Sequence, residues 1–296
     1  MTGGGGARGA YDVGIDVGAI STKLLLFRNG KVEGTTLANT TMEPGKLAGK
    51  ILQGLLTHKR LEREEIGYIV ATGQGRRSVE FADLARTEIT TFAKGAHFLV
   101  PDVELVVDIG GHGIRVMKLG EMGIISDFRT NDKCSSGTGC FMDTMAMALE
   151  VQIDDVGDRS LLSEIAEHVN ATCTVFAESE VVSLIAKEKA TEDILAGLHQ
   201  MVARKIVGLV NSTQPKGKVL VCGGVARNSG IVEELRKIMN RDMVVPEMPH
   251  MVGALGAALM APRPENAYRP VGGDIPKKNT EVKQTPFLDR LLRWKR

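Results

Sequence analysis

The first apolar stretch of the chain alternates in a way that predicts a β-hairpin. Residues 11–27 read YDVGIDVG and then, after two residues, STKLLLF. The pair Asn29-Gly30 follows, and KVEGTTLA comes after it. Asn-Gly between two such runs favours a tight turn, because both turn positions need a positive φ. Residues 45–58 then have the apolar spacing of a helix, and IGYIVATG predicts another strand.

The same theme returns about ninety residues later, at a distance that indicates a duplicated domain rather than a solenoid. The segment VELVVDIGGHGIRVMKL again has an apolar strand, an aspartate, a glycine turn and a returning strand. Asp16 aligns with Asp108, and Gly18 aligns with Gly110. The chain therefore contains two hairpins of the same design.

Helices and strands alternate over the rest of the chain. We expect helices near residues 138–150, 160–169, 174–188, 191–211, 229–240 and 253–260, with strands at KVLVCGG and DMVVP. This order predicts an α/β protein with mixed sheets, because the two hairpins must be antiparallel.

The chain is expected to divide into four parts. Residues 1–10 are glycine-rich and predict a flexible arm. We expect a first subdomain at 11–95 plus about 246–262, a second at 96–245, and a basic tail at 263–296.

Composition excludes several classes of protein. Hydrophobic residues make up 43% and charged residues 25%, and no apolar run is long enough for a transmembrane helix. The net charge of +1 gives no electrostatic reason to expect a nucleic-acid partner. Four cysteines without a signal peptide favour a reducing, cytoplasmic location, where thiols are often ligands.

Three glycine turns carry the candidate nucleotide chemistry. Two of them follow an aspartate that can hold Mg²⁺ or its waters, and they offer backbone N–H groups to phosphate. The third, Gly-Gly after a strand and before a helix, lets a base and ribose lie flat against the backbone. A single such turn is as easily a plain hairpin, but two copies facing each other would bury carboxylates without a ligand. The candidate phosphate and Mg²⁺ residues are Asp16, Gly18, Ser21, Thr22, Lys23, Asp108, Gly110 and Gly111, and those for adenosine are Gly223, Gly224 and Asn228.

The segments IDVGAISTK, VVDIGG and CGGVARN, in this order, resemble the superfamily of acetate and sugar kinases, Hsp70 and actin. That resemblance implies two ribonuclease-H-like domains that close on ATP. It leaves kinase, chaperone, filament and regulatory ATPase open.

Two cysteines stand at or just before predicted helix starts. Cys134 precedes a Gly-Thr-Gly turn and Cys173 precedes Thr174. Helix N-termini lower the pKa of a thiol and stabilise metal–thiolate centres, so both cysteines are candidate ligands. Two thiols are too few for a tetrathiolate site, although a two-fold dimer would bring four. Ordinary buried cysteines remain the alternative, and the spacing does not separate zinc from iron–sulfur.

The segments DKCSSGTG, CTVFAESEVVS and PHMVGALGAAL are similar to the ATP-dependent activators of 2-hydroxyacyl-CoA dehydratases and the related ATPase subunits of benzoyl-CoA reductases, over about residues 11–261. The resemblance implies a homodimer that holds one [4Fe-4S] cluster through Cys134 and Cys173. It also implies ATP/ADP with Mg²⁺, an upstream ferredoxin or flavodoxin-type reductant, and electron transfer to a transiently bound iron–sulfur dehydratase or reductase.

One departure from that family pattern leaves the identity of the partner enzyme open, and two other functions remain as alternatives to the resemblance. After DIGG this chain has His112-Gly113, where the activators usually have Gln-Asp. A small-molecule kinase, with Asp108 as base for a substrate hydroxyl, is the first alternative. A nucleotide-gated assembly factor for a metalloenzyme is the second.

Overall fold

The computed structural model describes residues 9–131, 138–169, 174–214 and 216–263. Within them the chain forms two five-stranded mixed sheets with helices between and around them. The α/β class expected from the strand and helix pattern is confirmed.

The first sheet has the strand order β3-β2-β1-β4-β5, with β1 antiparallel to β2 and parallel to β4. Its strands are β1 (Tyr11–Val17), β2 (Ser21–Arg28), β3 (Lys31–Asn39), β4 (Ile66–Thr72) and β5 (Leu84–Ala85). Asn29 and Gly30 have φ values of 50° and 79°, so the predicted Asn-Gly turn between β2 and β3 is confirmed.

The second sheet repeats this order, read from its other edge as β10-β9-β6-β7-β8. Its strands are β6 (Val103–Ile109), β7 (Ile114–Leu119), β8 (Ile125–Asn131), β9 (Lys218–Cys222) and β10 (Met243–Val244). Here β6 pairs with β7 antiparallel and with β9 parallel, as β1 does with β2 and β4. The duplication predicted from the aligned aspartates is therefore present in the topology.

Eight α-helices cover the sheets within the described residues. They are α1 (Pro44–Lys59), α2 (Glu88–Leu99), α3 (Gly139–Ala148), α4 (Val156–Ser160), α5 (Thr174–Ala186), α6 (Thr191–Asn211), α7 (Ser229–Met239) and α8 (Val252–Leu259). Helix α1 packs on one face of the first sheet, and α3, α5, α6 and α7 contribute to the large core on one face of the second. None of the helices in these ranges has the length and apolar character of a membrane span.

Helices α2 and α8 lie between the sheets and pack tightly on each other. Helix α8 packs on β1, β4 and β2 of the first sheet, although it follows β10 of the second. Helix α2 follows β5 of the first sheet, yet its buried face joins the core formed by β6, β7 and β9. A division after residue 95 would cut α2, while the grouping of residues 246–262 with the first sheet agrees with the packing of α8. The subdomain limits remain a prediction.

The helix predicted near 160–169 is wrong. Helix α4 ends at Ser160, whose Oγ donates to the carbonyl of Gly157. Beyond it, Ser163 Oγ and the backbone N–H of Ile165 donate to Oδ1 of Asp193 at the start of α6, at 2.6 and 3.2 Å. These tertiary hydrogen bonds hold the segment as a loop against α6, which the local apolar pattern does not reveal.

The contact between α2 and α8 yields a test of stability. A Cβ at Gly256 would lie 1.7 Å from the carbonyl oxygen of Thr91, so Gly256→Ala must push the two helices apart. We expect a loss of about 2–3 kcal/mol in the free energy of unfolding, measured by urea denaturation. Gly54→Ala, in the exposed interior of α1 with nothing within 4 Å of the added Cβ, should instead gain about 0.5–1 kcal/mol. Equal effects of the two variants would contradict this packing.

Candidate functional site

The candidate site lies at two equivalent hairpin turns. The turn between β1 and β2 is closed by the N–H of Gly18, which donates to the carbonyl of Ser21 at 3.1 Å. The turn between β6 and β7 is closed in the same way, from Gly110 N–H to the carbonyl of Gly113 at 2.8 Å. Both aspartates of the repeat lie just before these turns, at the ends of the central strands.

Each aspartate is paired with a cation on the neighbouring strand of its own hairpin. Asp16 is in register with Lys23, and Asp108 is in register with Arg115. The Oδ2–Nζ distance in the first pair is 3.4 Å, and the Oδ2–Nη1 distance in the second is 2.8 Å. Both carboxylates are buried. A buried carboxylate is tolerated where such a partner offsets its desolvation, so the cation is part of each site.

The two turns face each other. A Cβ at Gly111 would lie 2.6 Å from Cδ1 of Ile20, the residue at the tip of the first turn. The charge of Asp16 also acts on Asp108, since it contributes to raising the pKa of that carboxyl. The structure therefore brings together the two repeats that the sequence aligned.

Two glycines stand directly after the parallel neighbours of the central strands. Gly223 follows β9 with φ 90°, and a Cβ there would lie 2.4 Å from the carbonyl oxygen of Ile109 and 2.5 Å from Oδ1 of Asp108. Gly73 follows β4 with φ 89° and is placed equally close to Val17 and Asp16. Gly223 was predicted from the sequence but Gly73 was not, although the repeated strand-then-glycine pattern was available to find it.

A third carboxylate, Glu88, was missed from the sequence. It lies in the first turn of α2, after the N-cap Thr87, and its Oε1 accepts from Nη2 of Arg115 at 2.6 Å. Arg115 thus bridges Glu88 and Asp108. A threonine cap followed by a glutamate is a helix-start signal, but nothing local indicates that this helix begins beside Asp108.

The acidic residues around Arg115 hold their protons more strongly than usual. Burial raises the pKa of Asp108 to about 7, with Arg115 acting in the opposite direction and Glu88 and Asp16 adding to the rise. Burial also raises the pKa of Glu88, again opposed by Arg115. Oδ1 of Asp108 is buried without a hydrogen-bond partner among the described residues. An unsatisfied carboxylate oxygen at a glycine-lined turn suits a ligand rather than a plain hairpin.

The other predicted residues occupy different positions around this centre. Thr22 is fully buried, and its Oγ1 lies 3.0 Å from Oγ1 of Thr40. Gly224 is exposed, with nothing within 4 Å of an added Cβ. Asn228 caps α7, because its Oδ1 accepts from the N–H of Ile231 at 3.0 Å. The roles predicted for these residues remain predictions.

The comparison with known families agrees with this geometry. The family model described as "BadF/BadG/BcrA/BcrD ATPase family" matches residues 13–261, which include both turns and both central strands. The chain belongs to this ATPase family. The family resemblance drawn from the sequence motifs is therefore confirmed.

Several similar curated proteins are dehydratase activators, and one is a reductase subunit. The 2-hydroxyisocaproyl-CoA dehydratase activator of Clostridioides difficile is 39% identical over 253 residues, covering 85% of this chain and 94% of that protein. The (R)-2-hydroxyglutaryl-CoA dehydratase activating ATPase of Acidaminococcus fermentans is 37% identical over 254 residues, covering 85% and 96%. A benzoyl-CoA reductase subunit of Thauera aromatica is 31% identical over 258 residues, covering 83% and 91%.

Solved structures show the same relationship. The activator of the 2-hydroxyisocaproyl-CoA dehydratase from Clostridium difficile with bound ADPNP matches with a TM-score of 0.80 at 37% identity, covering 84% of this chain and 93% of that one. The (R)-2-hydroxyglutaryl-CoA dehydratase component A of Acidaminococcus fermentans matches with a TM-score of 0.81 at 36% identity, covering 85% and 97%. A ROK family glucokinase from Streptomyces griseus, at 13% identity and a TM-score of 0.53, shares the fold alone.

The second turn of this family ATPase is tied to the start of α3. The N–H groups of Gly139 and Cys140 donate to the carbonyls of Gly110 and Gly111, at 3.0 and 2.9 Å. His112 at the turn tip is exposed, and its Nδ1 lies 4.0 Å from Sγ of Cys140. The beginning of α3 therefore lies directly against the second glycine turn.

The predicted cluster ligands Cys134 and Cys173 lie outside the described residues. Helices α3 and α5, which follow them, contact each other. Among the described residues, no group of three or more His, Cys, Asp or Glu side chains could hold a metal ion. Cys222 is fully buried in β9, as expected for a core residue.

Asn228 is also joined to a buried histidine, which gives a test in acid. Its Nδ2 lies 3.1 Å from Nε2 of His199, and burial lowers the pKa of His199 to about 3. Below about pH 6.5 the unfolded chain binds a proton at this position and the folded chain does not, so stability falls as the pH falls. Between about pH 6.5 and 5 we expect His199 to contribute a loss of about 2 kcal/mol.

The variant His199→Gln, which does not titrate, should remove that part of the acid sensitivity. Urea denaturation at about pH 7.5 measures the effect of repacking alone, and the same experiment at about pH 5 adds the effect of the proton. If the wild type and the variant lost the same free energy of unfolding between these two pH values, the assignment to His199 would be contradicted.

Proposed function

We propose that this chain is an ATP-dependent activator that donates one electron at a time to a partner iron–sulfur enzyme. The partner would be of the 2-hydroxyacyl-CoA dehydratase or benzoyl-CoA reductase type, and the upstream reductant of the ferredoxin or flavodoxin type. The observation that carries the proposal is the pair of facing aspartate turns, in a chain 36–39% identical to three dehydratase activators.

The phosphates and Mg²⁺ of ATP/ADP are assigned to the two turns. The residues around the two turns fit Mg²⁺ and phosphate, because Asp16 and Asp108 lie close enough for their charges to interact. In addition, Oδ1 of Asp108 has no hydrogen-bond partner within the described part of the chain. Mg²⁺ is usually held by one or two carboxylates together with phosphates and waters. The other proposed residues are Gly18, Ser21, Thr22 and Lys23, in the first turn and at the start of β2, and Gly110 and Gly111, in the second turn.

Adenosine is assigned to the third glycine turn. Gly223 directly follows β9, and Gly224 is exposed with open space where a side chain would be. A base or ribose can therefore lie against this backbone. Asn228, at the start of α7, completes the proposed set.

The cluster would be shared by two copies of the chain. Cys173 directly precedes α5, and Thr138 is the first described residue after Cys134, next to α3. Since α3 and α5 contact each other, the two cysteines precede neighbouring helices. Four thiolates from a two-fold dimer suffice for one [4Fe-4S] cluster, which supplies the one-electron chemistry when bound.

An exposed apolar surface supports the proposed homodimer and its partner. On α5, Phe176 is 70% and Val182 55% exposed, and Met147 of the neighbouring α3 is 79% exposed. These large apolar side chains are exposed on two neighbouring helices, and a contiguous surface of such side chains would be typical of a protein–protein contact.

Nucleotide and cluster would be coupled through the start of α3. The backbone hydrogen bonds of Gly139 and Cys140 to the second phosphate turn require α3 to follow any movement of that turn. A cleft that closes on ATP then changes the position of the helices that follow the cysteines, which is a two-state switch biased by nucleotide.

A small-molecule kinase remains the alternative from another class. It would use Asp108 as base for a substrate hydroxyl. Its support is weaker, since the likeness to a glucokinase is one of fold alone, and Oδ2 of Asp108 is already bonded to Arg115. A nucleotide-gated assembly factor would share the ATP site without donating electrons.

Cysteine substitutions test the cluster. Chain purified without air should be a brown dimer with about four irons. Cys134→Ser and Cys173→Ser should each lose the colour and the iron, measured by absorption spectra and iron analysis. Cys222→Ala, in the buried β9, is the matched control and should keep both. Colour that survives in all three variants would show that the ligands are wrong.

Aspartate substitutions test the ATP site. Asp108→Asn should lower the rate of ATP hydrolysis by about 100-fold or more, because the charge at the phosphate turn is lost. Asp102→Asn is the control, since that carboxylate is 70% exposed and bonded to Lys218 at 2.7 Å. Thermal unfolding of both variants checks that they fold. Equal rates in Asp108→Asn and wild type would contradict the site.

A further inference from the structure

His250 occupies a turn between the two sheets that neither the sequence motifs nor the family match assigns to a function. It lies in the short 3-10 turn Pro249–Met251, between β10 and α8. The carbonyl of Pro249 accepts a hydrogen bond from the N–H of Gly223 at 2.9 Å. The turn also contacts β2 of the first sheet and the helical turn Gly224–Arg227. The turn that carries His250 thus lies between the third glycine turn and β2 of the first hairpin.

The helix that follows places the same turn next to the first phosphate loop. A Cβ at Gly253, in the first turn of α8, would lie 3.2 Å from Oδ2 of Asp16. Asp16 in turn binds Lys23. The segment from Pro249 to Gly253, which includes His250, therefore connects the adenosine turn to the first phosphate turn.

His250 carries a buried nitrogen that the described residues leave unpaired. Its Nδ1 has no hydrogen-bond partner among them, and His97 and His199 share this property. Of these three, His250 is the one on which Lys23 and Arg227 act: burial first, and then these two cations, lower its pKa to about 4. A neutral imidazole beside two cations offers an N–H donor in a positive environment, which suits an anionic oxygen.

We propose that Nδ1 of His250 donates a hydrogen bond to a phosphate oxygen of the bound nucleoside di- or triphosphate, alongside Lys23 and Arg227. This inference rests on the proposed function and adds a contact between the phosphate turns and the adenosine turn. His250 would position the phosphate chain and exchange no proton with it.

The test compares ligands with an increasing number of phosphates, using the full-length chain prepared without air. Isothermal titration at fixed Mg²⁺ measures the affinities for adenosine, AMP, ADP and a non-hydrolysable ATP analogue. His250→Ala should bind adenosine like wild type. For every ligand that carries the contacted phosphate, the affinity of His250→Ala should be about tenfold to 100-fold lower than that of the wild type, because a hydrogen bond to a charged group is lost.

Two substitutions of similar size separate the contact from a packing effect. His250→Asn keeps an amide donor close to the position of Nδ1 and should retain most of the phosphate-dependent affinity. His250→Gln places its amide near the position of Nε2 and should not. This pair decides the matter even where His250→Ala folds poorly.

His97→Ala is the matched control, since His97 has the same buried and unpaired Nδ1, within the described part of the chain, but lies in α2 against Gly123. Its nucleotide affinities should equal those of wild type. Three results would overturn this contact while leaving the proposed function intact. They are an equal loss of affinity for adenosine and ADP in His250→Ala, no loss of affinity in that variant, or the same pattern of losses in His97→Ala. A wild-type chain that binds none of the four ligands would overturn the proposed function and this contact with it.

Discussion

Two buried carboxylates close to each other impose the main constraint on this molecule. Each ends the central strand of a sheet, and each is balanced by a cation in register on the next strand, Lys23 for Asp16 and Arg115 for Asp108. Without those cations the desolvation of both carboxylates would oppose folding. The balance is incomplete at Asp108, whose pKa rises to about 7 and whose Oδ1 has no partner among the described residues. A metal–nucleotide complex bound at Asp108 would offset the remaining cost of burying its carboxylate.

The exchange of helices between the sheets joins the two similar halves of the chain. Helix α8 belongs in sequence to the second half but covers the first sheet, and α2 does the reverse. Both helices begin beside an aspartate, with Gly253 near Asp16 and Glu88 joined through Arg115 to Asp108. A shift at either aspartate turn would therefore reach the pair of helices α2 and α8 between the two sheets. The second turn, Gly110 to Gly113, is also joined to α3 by backbone hydrogen bonds, which gives the proposed coupling to the cysteines a physical route.

How much of the fold and of the site could be predicted from the sequence depended on whether each feature is set by neighbouring residues. The hairpin at Asn29-Gly30, the aspartate turns and Gly223 follow from the conformational needs of a few neighbouring residues, and the repeat aligned Asp16 with Asp108. Glu88 and Gly73 were missed, although each follows a recognisable local pattern, because their importance depends on which distant strand they meet. The prediction of a helix near 160–169 was wrong because Asp193, far along the chain, accepts hydrogen bonds that hold this segment as a loop.

By itself the sequence determined the α/β class, the duplicated hairpins, the glycine turns and the family, since these depend on periodicity, turn chemistry and short motifs. Only the tertiary structure decided that the two turns face each other, that α2 and α8 cross between the sheets, and that Arg115 links Glu88 to Asp108. The reason is that charge pairing and burial are set by residues brought together across long separations. Local pattern places a carboxylate at the end of a strand, while the packed fold alone fixes its neighbours and therefore its chemistry.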